Sequence, residues 1–266
     1  MVYITGDCHG EFHKLSNKNF PQSKNLTKED YVIICGDFGN IWDLIPSSTE
    51  KYWYNWLCEK PYTILFIDGN HENFDRLNND YPEIDFLGGR AHKISNNIYH
   101  LMRGYVFEIE GKKFFTFGGA CSHDIKDGIL HIEDFNSHKE MINIYKKMKK
   151  TNKFVRIENE TWWAAEQAST TEMLRGLSNL EKVNYKVDFI ITHCAPQSML
   201  NWRYFGAMKP ETMTLYFDTI LKKAQFHRWY CGHYHIDEYF IKSKDGKDCD
   251  IPTNFSFIYN NIERII

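Results

Sequence analysis

An α/β fold is predicted by three features of the 266-residue chain. Short runs rich in β-branched and aromatic residues recur along it, as buried strands require. Amphipathic stretches at helical spacing separate several of them. Most distinctively, the runs end abruptly in Gly, Asp, Asn or His, and open α/β sheets bind ligands at strand carboxyl ends. The length allows a large core, as one big domain or two smaller ones.

Val2-Tyr3-Ile4-Thr5 opens the chain as a strand, and Gly6-Asp7-Cys8-His9-Gly10 ends it. Residues 11–18 are expected to be helical. Residues 31–35 form a second buried strand that ends in Gly36-Asp37-Phe38-Gly39-Asn40. Residues 48–59 read as a helix, with Tyr52, Trp53, Trp56 and Leu57 as an apolar stripe for the core. Residues 63–67 make a third strand that drives straight into Asp68-Gly69-Asn70-His71-Glu72. Glycine lets the chain turn sharply where it leaves the sheet. A helix over 73–79 follows.

Residues 98–101, 105–109 and 113–117 look like strands, the last two joined by a Glu110-Gly111-Lys112 turn. Strand, turn and strand without helices predict a second, more antiparallel sheet, closed by Gly118-Gly119-Ala120. The strand pattern then lapses, so the chain reads as a single domain over 1–266 with an inserted helical and loop segment at about 121–169. Within it, residues 137–150 are helical, with Met141, Ile144, Tyr145 and Met148 on one face and a lysine run at 146–150 facing solvent. Residues 170–183 form another amphipathic helix. The strand at 187–192 ends in His193-Cys194-Ala195-Pro196, residues 211–224 are helical, and 228–231 lead into Gly232-His233-Tyr234-His235. Strands at 239–241 and 255–262 flank a turn at Asp245-Gly246.

Composition narrows the class. Hydrophobic residues at 42% and charged residues at 25% are those of an ordinary globular chain. A net charge of −3 supplies no global basic field for nucleic acid. No apolar run approaches the roughly 20 residues of a membrane span. The first residues enter a strand without a signal-peptide pattern, so a cytoplasmic location and no membrane partner are expected. The seven cysteines include no CxxC pair, which argues against a disulfide framework or a thiolate zinc knot. Cys8, Cys35, Cys194 and Cys231 sit beside candidate ligands and read as small apolar filler.

Five strand ends carry Asp7 and His9, Asp37, Asn70 and His71, His193, and His233 and His235. Asp-x-His and His-x-His spacings put both side chains on one side of an extended segment. One such end is a turn; five with nitrogen and oxygen donors are a metal centre. Seven donors (Asp7, His9, Asp37, Asn70, His193, His233, His235) exceed what one catalytic transition metal takes while keeping open positions. They suit two divalent ions sharing a carboxylate, with Mn, Fe or Zn matching the imidazole, carboxylate and amide mixture. Two ions roughly 3.5–4 Å apart clamp the attacking and leaving oxygens of a phosphoryl displacement.

Gly6-Asp7-Cys8-His9-Gly10, Gly36-Asp37, Gly69-Asn70-His71-Glu72, Thr192-His193 and Gly232-His233-Tyr234-His235 resemble the ordered motifs of the calcineurin-like metallophosphoesterase superfamily. The resemblance implies a four-layer α/β/β/α sandwich of two mixed sheets flanked by helices, with a dinuclear centre at the strand carboxyl ends. It further implies that Asp7, His9 and His235 hold one ion, that Asn70, His193 and His233 hold the other, and that Asp37 bridges them. His71 becomes the group over the substrate, a general acid or a donor to the phosphoryl oxygens. The protein serine/threonine phosphatase branch has Gly-Asp-x-x-Asp-Arg-Gly where this chain has Gly36-Asp37-Phe38-Gly39-Asn40-Ile41-Trp42. Asn40 thus replaces an acidic partner of the motif histidine. Gly118-Gly119-Ala120-Cys121-Ser122-His123-Asp124, with Arg156 and Trp162-Trp163, resembles uncharacterised bacterial and phage members.

The expected activity is hydrolysis of a phosphate ester by a hydroxide activated at the dinuclear centre, assisted by His71. Asn40, His123 and Arg156 are candidate substrate contacts, Arg156 because guanidinium binds phosphate oxygens bidentately. Trp162 and Trp163 anchor the insertion or stack on a base. The expected partner is a phosphorylated small molecule or nucleotide. A nuclease or cyclic-nucleotide phosphodiesterase using the same centre is the alternative, with nucleic acid not favoured at this net charge. A non-catalytic metal-containing binding module is the alternative of another class.

Overall fold

Strand alternation assigns each apolar residue to one of three layers of packing. In the computed structural model, which describes residues 1–241 and 254–266, the chain begins with β1 (Val2–Thr5), β2 (Tyr31–Ile34), β3 (Thr63–Phe66), β4 (Glu83–Phe86), β5 (Gly89–Lys93) and β6 (Ile98–Leu101). It enters a second sheet with β7 (Tyr105–Ile109) and β8 (Lys112–Phe117), then crosses a small parallel pair, β9 (Gly128–Leu130) and β10 (Val155–Ile157). The second sheet is completed by β11 (Phe189–Thr192), β12 (Arg228–Cys231), β13 (Glu238–Phe240) and β14 (Phe255–Phe257). β15 (Ile262–Arg264) returns to the edge of the first. The first sheet has the order β15-β1-β2-β3-β6-β5-β4 and the second β13-β14-β12-β11-β8-β7.

Tyr3, Val32, Ile34, Ile64 and Phe66 point outward and pack with Phe12 and with Trp53 and Leu57 of helix α1 (Ser48–Cys58) and Leu77 of α2 (Phe74–Asn79). Their neighbours in sequence, Val2, Ile4, Ile33, Leu65 and Ile67, point the other way. They meet Phe107, Ile109, Phe114, Phe189, Ile191 and Tyr230 of the second sheet. Phe115, Phe117, Ile190 and Trp229 pack outward again, against Leu180 of the helix at Thr170–Lys182 and Met213, Phe217 and Ile220 of that at Thr212–Leu221. The result is the α/β/β/α sandwich. Each fully buried side chain of this kind contributes about 1.5–3 kcal/mol.

In chain order the remaining helices are α3 (His138–Lys150), α4 (Thr170–Lys182), α5 (Gln197–Arg203) and α6 (Thr212–Leu221). The lysine run of α3 is solvent-facing, with Met141 buried on the opposite side.

Several local expectations change. Residues 11–18 form only a 3₁₀ turn at His13–Leu15. There Asn19 Nδ2 donates to the His13 carbonyl at 2.9 Å, a local bond that competes with helix propagation. β4 and β5 escape the apolar pattern because β4 is an edge strand whose exposed Glu83 and Asp85 pair with Arg90. β6 joins the first sheet, parallel to β3. The second sheet is mixed, with β8, β11, β12 and β14 parallel and β7 and β13 antiparallel at its edges. The expected strand at 255–262 divides into β14 and β15, one in each sheet. The Asp245-Gly246 turn lies outside the described residues.

Candidate metal centre and cleft

The carboxyl ends of β1, β2 and β3 open on the same rim as those of β11 and β12. The seam between the sheets is therefore lined from both sides. Asp7, His9, Asp37 and His235 place one donor atom each within 4.8 Å of one another. His235 Nε2 lies 3.1 Å from Asp7 Oδ2, and His9 Nε2 lies 3.6 Å from Asp37 Oδ2 and 2.9 Å from His235 Nε2. Asp7 also accepts the backbone N–H of His233, at 3.0 and 3.1 Å to its two oxygens.

His193 faces the other carboxylate oxygen of Asp37, and the His233 ring stands 5.0 Å from the His193 ring. His193 is fully buried, and its Nδ1–H donates to the Cys35 carbonyl at 2.8 Å, which leaves Nε2 to face Asp37. That Nε2 lies 3.2 Å from Asp37 Oδ1 without the geometry of a hydrogen bond. Burial opposes a charge on His193, but the Asp37 carboxylate overrides it and pushes the pKa up to about 10. Burial would likewise raise Asp37, yet His193, His71 and His9 hold it well below the usual carboxylate range. Asn70 Nδ2 donates to Ser122 Oγ at 3.2 Å, while its Oδ1 is buried with no hydrogen-bond partner. Asn70 Oδ1, a buried acceptor without a partner, and His193 Nε2, a buried ring nitrogen that only a proton or a cation can occupy beside Asp37, fit a cation; an unmet buried acceptor costs about 1–3 kcal/mol. The residues present therefore fit divalent metal ions.

Backbone strain gathers at the same place. His9 (φ 49°), Asp37 (φ 46°), His233 (φ 68°) and His235 (φ 52°) are all left-handed. Such residues cost about 1–2 kcal/mol each and persist where surrounding structure fixes them. Glycine is required just before two of the candidates. A Cβ on Gly36 (φ +91°) would come within 2.1 Å of His193 Nδ1, and one on Gly69 within 2.0 Å of Asp37 Oδ1. Glu72 holds the Asp37 loop by accepting the N–H of Phe38 at 2.8 Å and of Gly39 at 3.2 Å.

His71 lies over this group. Its backbone N–H donates to Asp37 Oδ1 at 2.8 Å, and its ring stands edge-on to His9 at 4.8 Å. A cleft of about 280 Å³ opens there, lined by His9, Gly39, Trp42, His71 and Arg156. The Trp42 ring is 5.5 Å from that of His71, and the Arg156 guanidinium lies 5.8 Å from the Trp42 ring. Arg156 is ion-paired with Asp124 and its Nε is buried without a partner. Burial lowers the His71 pKa, with Asp37 opposing and Arg156 reinforcing that shift.

The other sequence candidates are placed as follows. His123 Nε2 meets His233 Nε2 at 3.1 Å, which puts it against the centre. Asn40 is buried but lines a different cavity, with Glu50, Tyr54 and Arg76, and its Oδ1 has no hydrogen-bond partner. It is not brought into the cleft with His71. Trp163 is an anchor, buried and donating from Nε1 to Asp75 at 2.9 Å, with its ring edge against Trp42 at 5.6 Å. Asp68 faces away from the donors. It accepts from Arg103 Nε at 2.8 Å and lies 3.0 Å from His100 Nε2. Cys8, Cys35, Cys194 and Cys231 are buried, and burial pushes each thiol up, Cys8 to about 12. None of them joins the donor cluster.

Trp42, Ser122 and Glu166 were not singled out from sequence. Trp42 adjoins the Asp37 motif, and Ser122 adjoins His123, so position alone was a signal for both. Glu166 carries none. It reaches Ser122 across 44 residues, accepting Ser122 N–H at 2.8 Å and Ser122 Oγ–H at 2.6 Å.

Among the described residues, no helix is long and apolar enough to cross a membrane. The chain is 23% identical over 220 residues to the lariat debranching enzyme of Saccharomyces cerevisiae, covering 78% of this chain and 46% of that protein. It is 28% identical over 141 residues to lariat debranching enzyme A of Xenopus laevis, covering 48% of this chain and 25% of that protein. The chain thus spans less than half the length of these relatives. The calcineurin-like phosphoesterase family matches residues 1–237, nearly the whole chain. The chain belongs to the calcineurin-like phosphoesterase family.

Proposed function

We propose that this protein is a metal-dependent hydrolase of phosphodiester bonds in a nucleotide-bearing substrate. Asp7, His9 and His235 would hold one divalent ion, Asn70, His193 and His233 a second, and Asp37 both; Mn, Fe and Zn suit the donors. Bound there, the ions supply Lewis acidity toward the phosphoryl oxygens and lower the pKa of water.

The observation that carries the reading is the cleft, in which His71 shares its walls with Trp42 and Arg156 beside the candidate ligands. His71 donates a proton to the leaving oxygen, and the hydrogen bond from its backbone to Asp37 keeps the ring over the centre. Arg156, pre-oriented by Asp124, takes the non-reacting phosphate oxygens. Trp42 offers a flat face to a base. Of the two catalytic readings the sequence allows, the diester one is favoured. A base subsite next to the acid has no use in a simple phosphomonoesterase, and the relatives are named lariat debranching enzymes.

The test loads the purified protein with Mn²⁺ and compares turnover of p-nitrophenyl phosphate, bis(p-nitrophenyl) phosphate, and linear and branched oligoribonucleotides. Diesters and oligonucleotides are expected to exceed the monoester. Monoester preference overturns the diester assignment, and two bound ions without turnover of any substrate would leave a binding module.

A further inference from the structure

We propose that Ser122 and His123, adjacent in the segment 121–169, are positioning residues for one of the two metal positions and not for the other. The inference rests on the ligand assignment just given. Its geometric basis is separate: two consecutive side chains of this segment each touch a candidate ligand of the same ion. Ser122 Oγ accepts from Asn70 Nδ2 at 3.2 Å, and His123 Nε2 lies 3.1 Å from His233 Nε2. Among the described residues, no hydrogen bond joins the segment to Asp7, His9 or His235. Asp7 is met instead by the His233 N–H, and His235 stacks on Tyr259 with ring centroids 4.5 Å apart.

Hydrogen-bond polarity explains why Ser122 matters. The Glu166 carboxylate receives both the N–H and the O–H of Ser122, so the hydroxyl proton is committed there. Only the lone pairs of Ser122 Oγ remain for Asn70, and they select the amide NH₂. Asn70 Oδ1 is thereby turned away from Ser122 and left without a partner, as a metal ligand must be. Glu166 is itself fixed, because Arg103 Nη2 donates to the carbonyls of Ala165 at 2.8 Å and Glu166 at 3.3 Å while gripping Asp68 at the end of β3. His123 acts on the second ligand in the same way. Two imidazole nitrogens at 3.1 Å share one proton, and a metal-ligating histidine engages a partner through its other nitrogen. The contact directs His233 to coordinate through Nδ1.

The experiment strips the full-length protein with chelator and reloads it with Mn²⁺. It then reads metal content by mass spectrometry and the spin state by electron paramagnetic resonance. Wild type is expected to bind two ions with a spin-coupled multiline signal. Ser122→Ala and His123→Ala are expected to weaken one site about 10–100-fold. At limiting metal they would retain one ion and show the uncoupled six-line signal. Ser122→Thr, which keeps the hydroxyl, is expected to restore the coupled pair. Glu166→Gln presents an NH₂ to the Ser122 hydroxyl, reverses the polarity and is expected to behave as Ser122→Ala. Both alanine variants retaining the coupled pair, or losing both ions while still melting cooperatively, overturns the inference. So does Ser122→Thr failing to restore it. A wild type that never binds two ions overturns the ligand assignment instead.

Discussion

His71 illustrates how much one residue inherits from its neighbours. Its backbone is tied to Asp37, its ring stands edge-on to His9, and the Trp42 ring lies 5.5 Å from it. The acidic partner that a Gly-Asp-x-x-Asp motif would supply is absent, and Asn40 lies against another cavity, so the ring's orientation comes from packing. His71→Ala is expected to lower kcat about 100-fold or more while two equivalents of Mn²⁺ stay bound. Loss of metal from that variant, measured by atomic emission, removes the acid role. Trp42→Ala is expected to raise KM for oligonucleotides by the roughly 1–3 kcal/mol of a lost base stack, with Trp42→Phe close to wild type. An unchanged KM rules out stacking. The seven candidate donors and His71 stand out in the sequence because they gather at five strand ends. Glu166 reaches Ser122 across a distant stretch of chain, which no local pattern encodes.

Strands were legible where both faces are buried, as in β1, β2, β3, β11 and β12, because an unbroken apolar run leaves little choice. β4 and β5 were missed because they carry charge on the sheet edge. Yet β5 holds a consequential residue. His92 is buried opposite His100, with Nδ1 atoms 2.9 Å apart, and His100 in turn meets Asp68. Burial, reinforced by His100, pushes the His92 pKa down to about 4 from 6.5. Between those values the unfolded chain binds the proton more readily than the folded one, so stability falls as pH drops from about 6.5 toward 4. Urea midpoints across that interval are expected to show the decline, and His92→Gln to flatten it. A His92→Gln profile parallel to wild type sinks this account.

At the scale of the molecule, the two-sheet architecture was legible only in outline. The sequence marks strand ends clearly but not which sheet a strand joins, and β6, β14 and β15 are assigned by pairings far apart in the chain. The candidate donors divide along that boundary: Asp7, His9, Asp37 and Asn70 follow strands of the first sheet, and His193, His233 and His235 follow strands of the second. On the proposed ligand assignment, bound ions would therefore stabilise the docked pair of sheets. At 100-fold excess over Kd each ion would contribute about 2.7 kcal/mol, so removing both by chelation is expected to lower Tm by roughly 10–20 °C, with Mn²⁺ restoring it. A Tm indifferent to chelator speaks against ligands from both sheets. On the proposed ligand assignment, the same division would make cofactor loading a proofreading step in biogenesis. A nascent or misassembled chain would own only part of each coordination shell and hold metal poorly, so the ions would accumulate on molecules whose halves have already found each other.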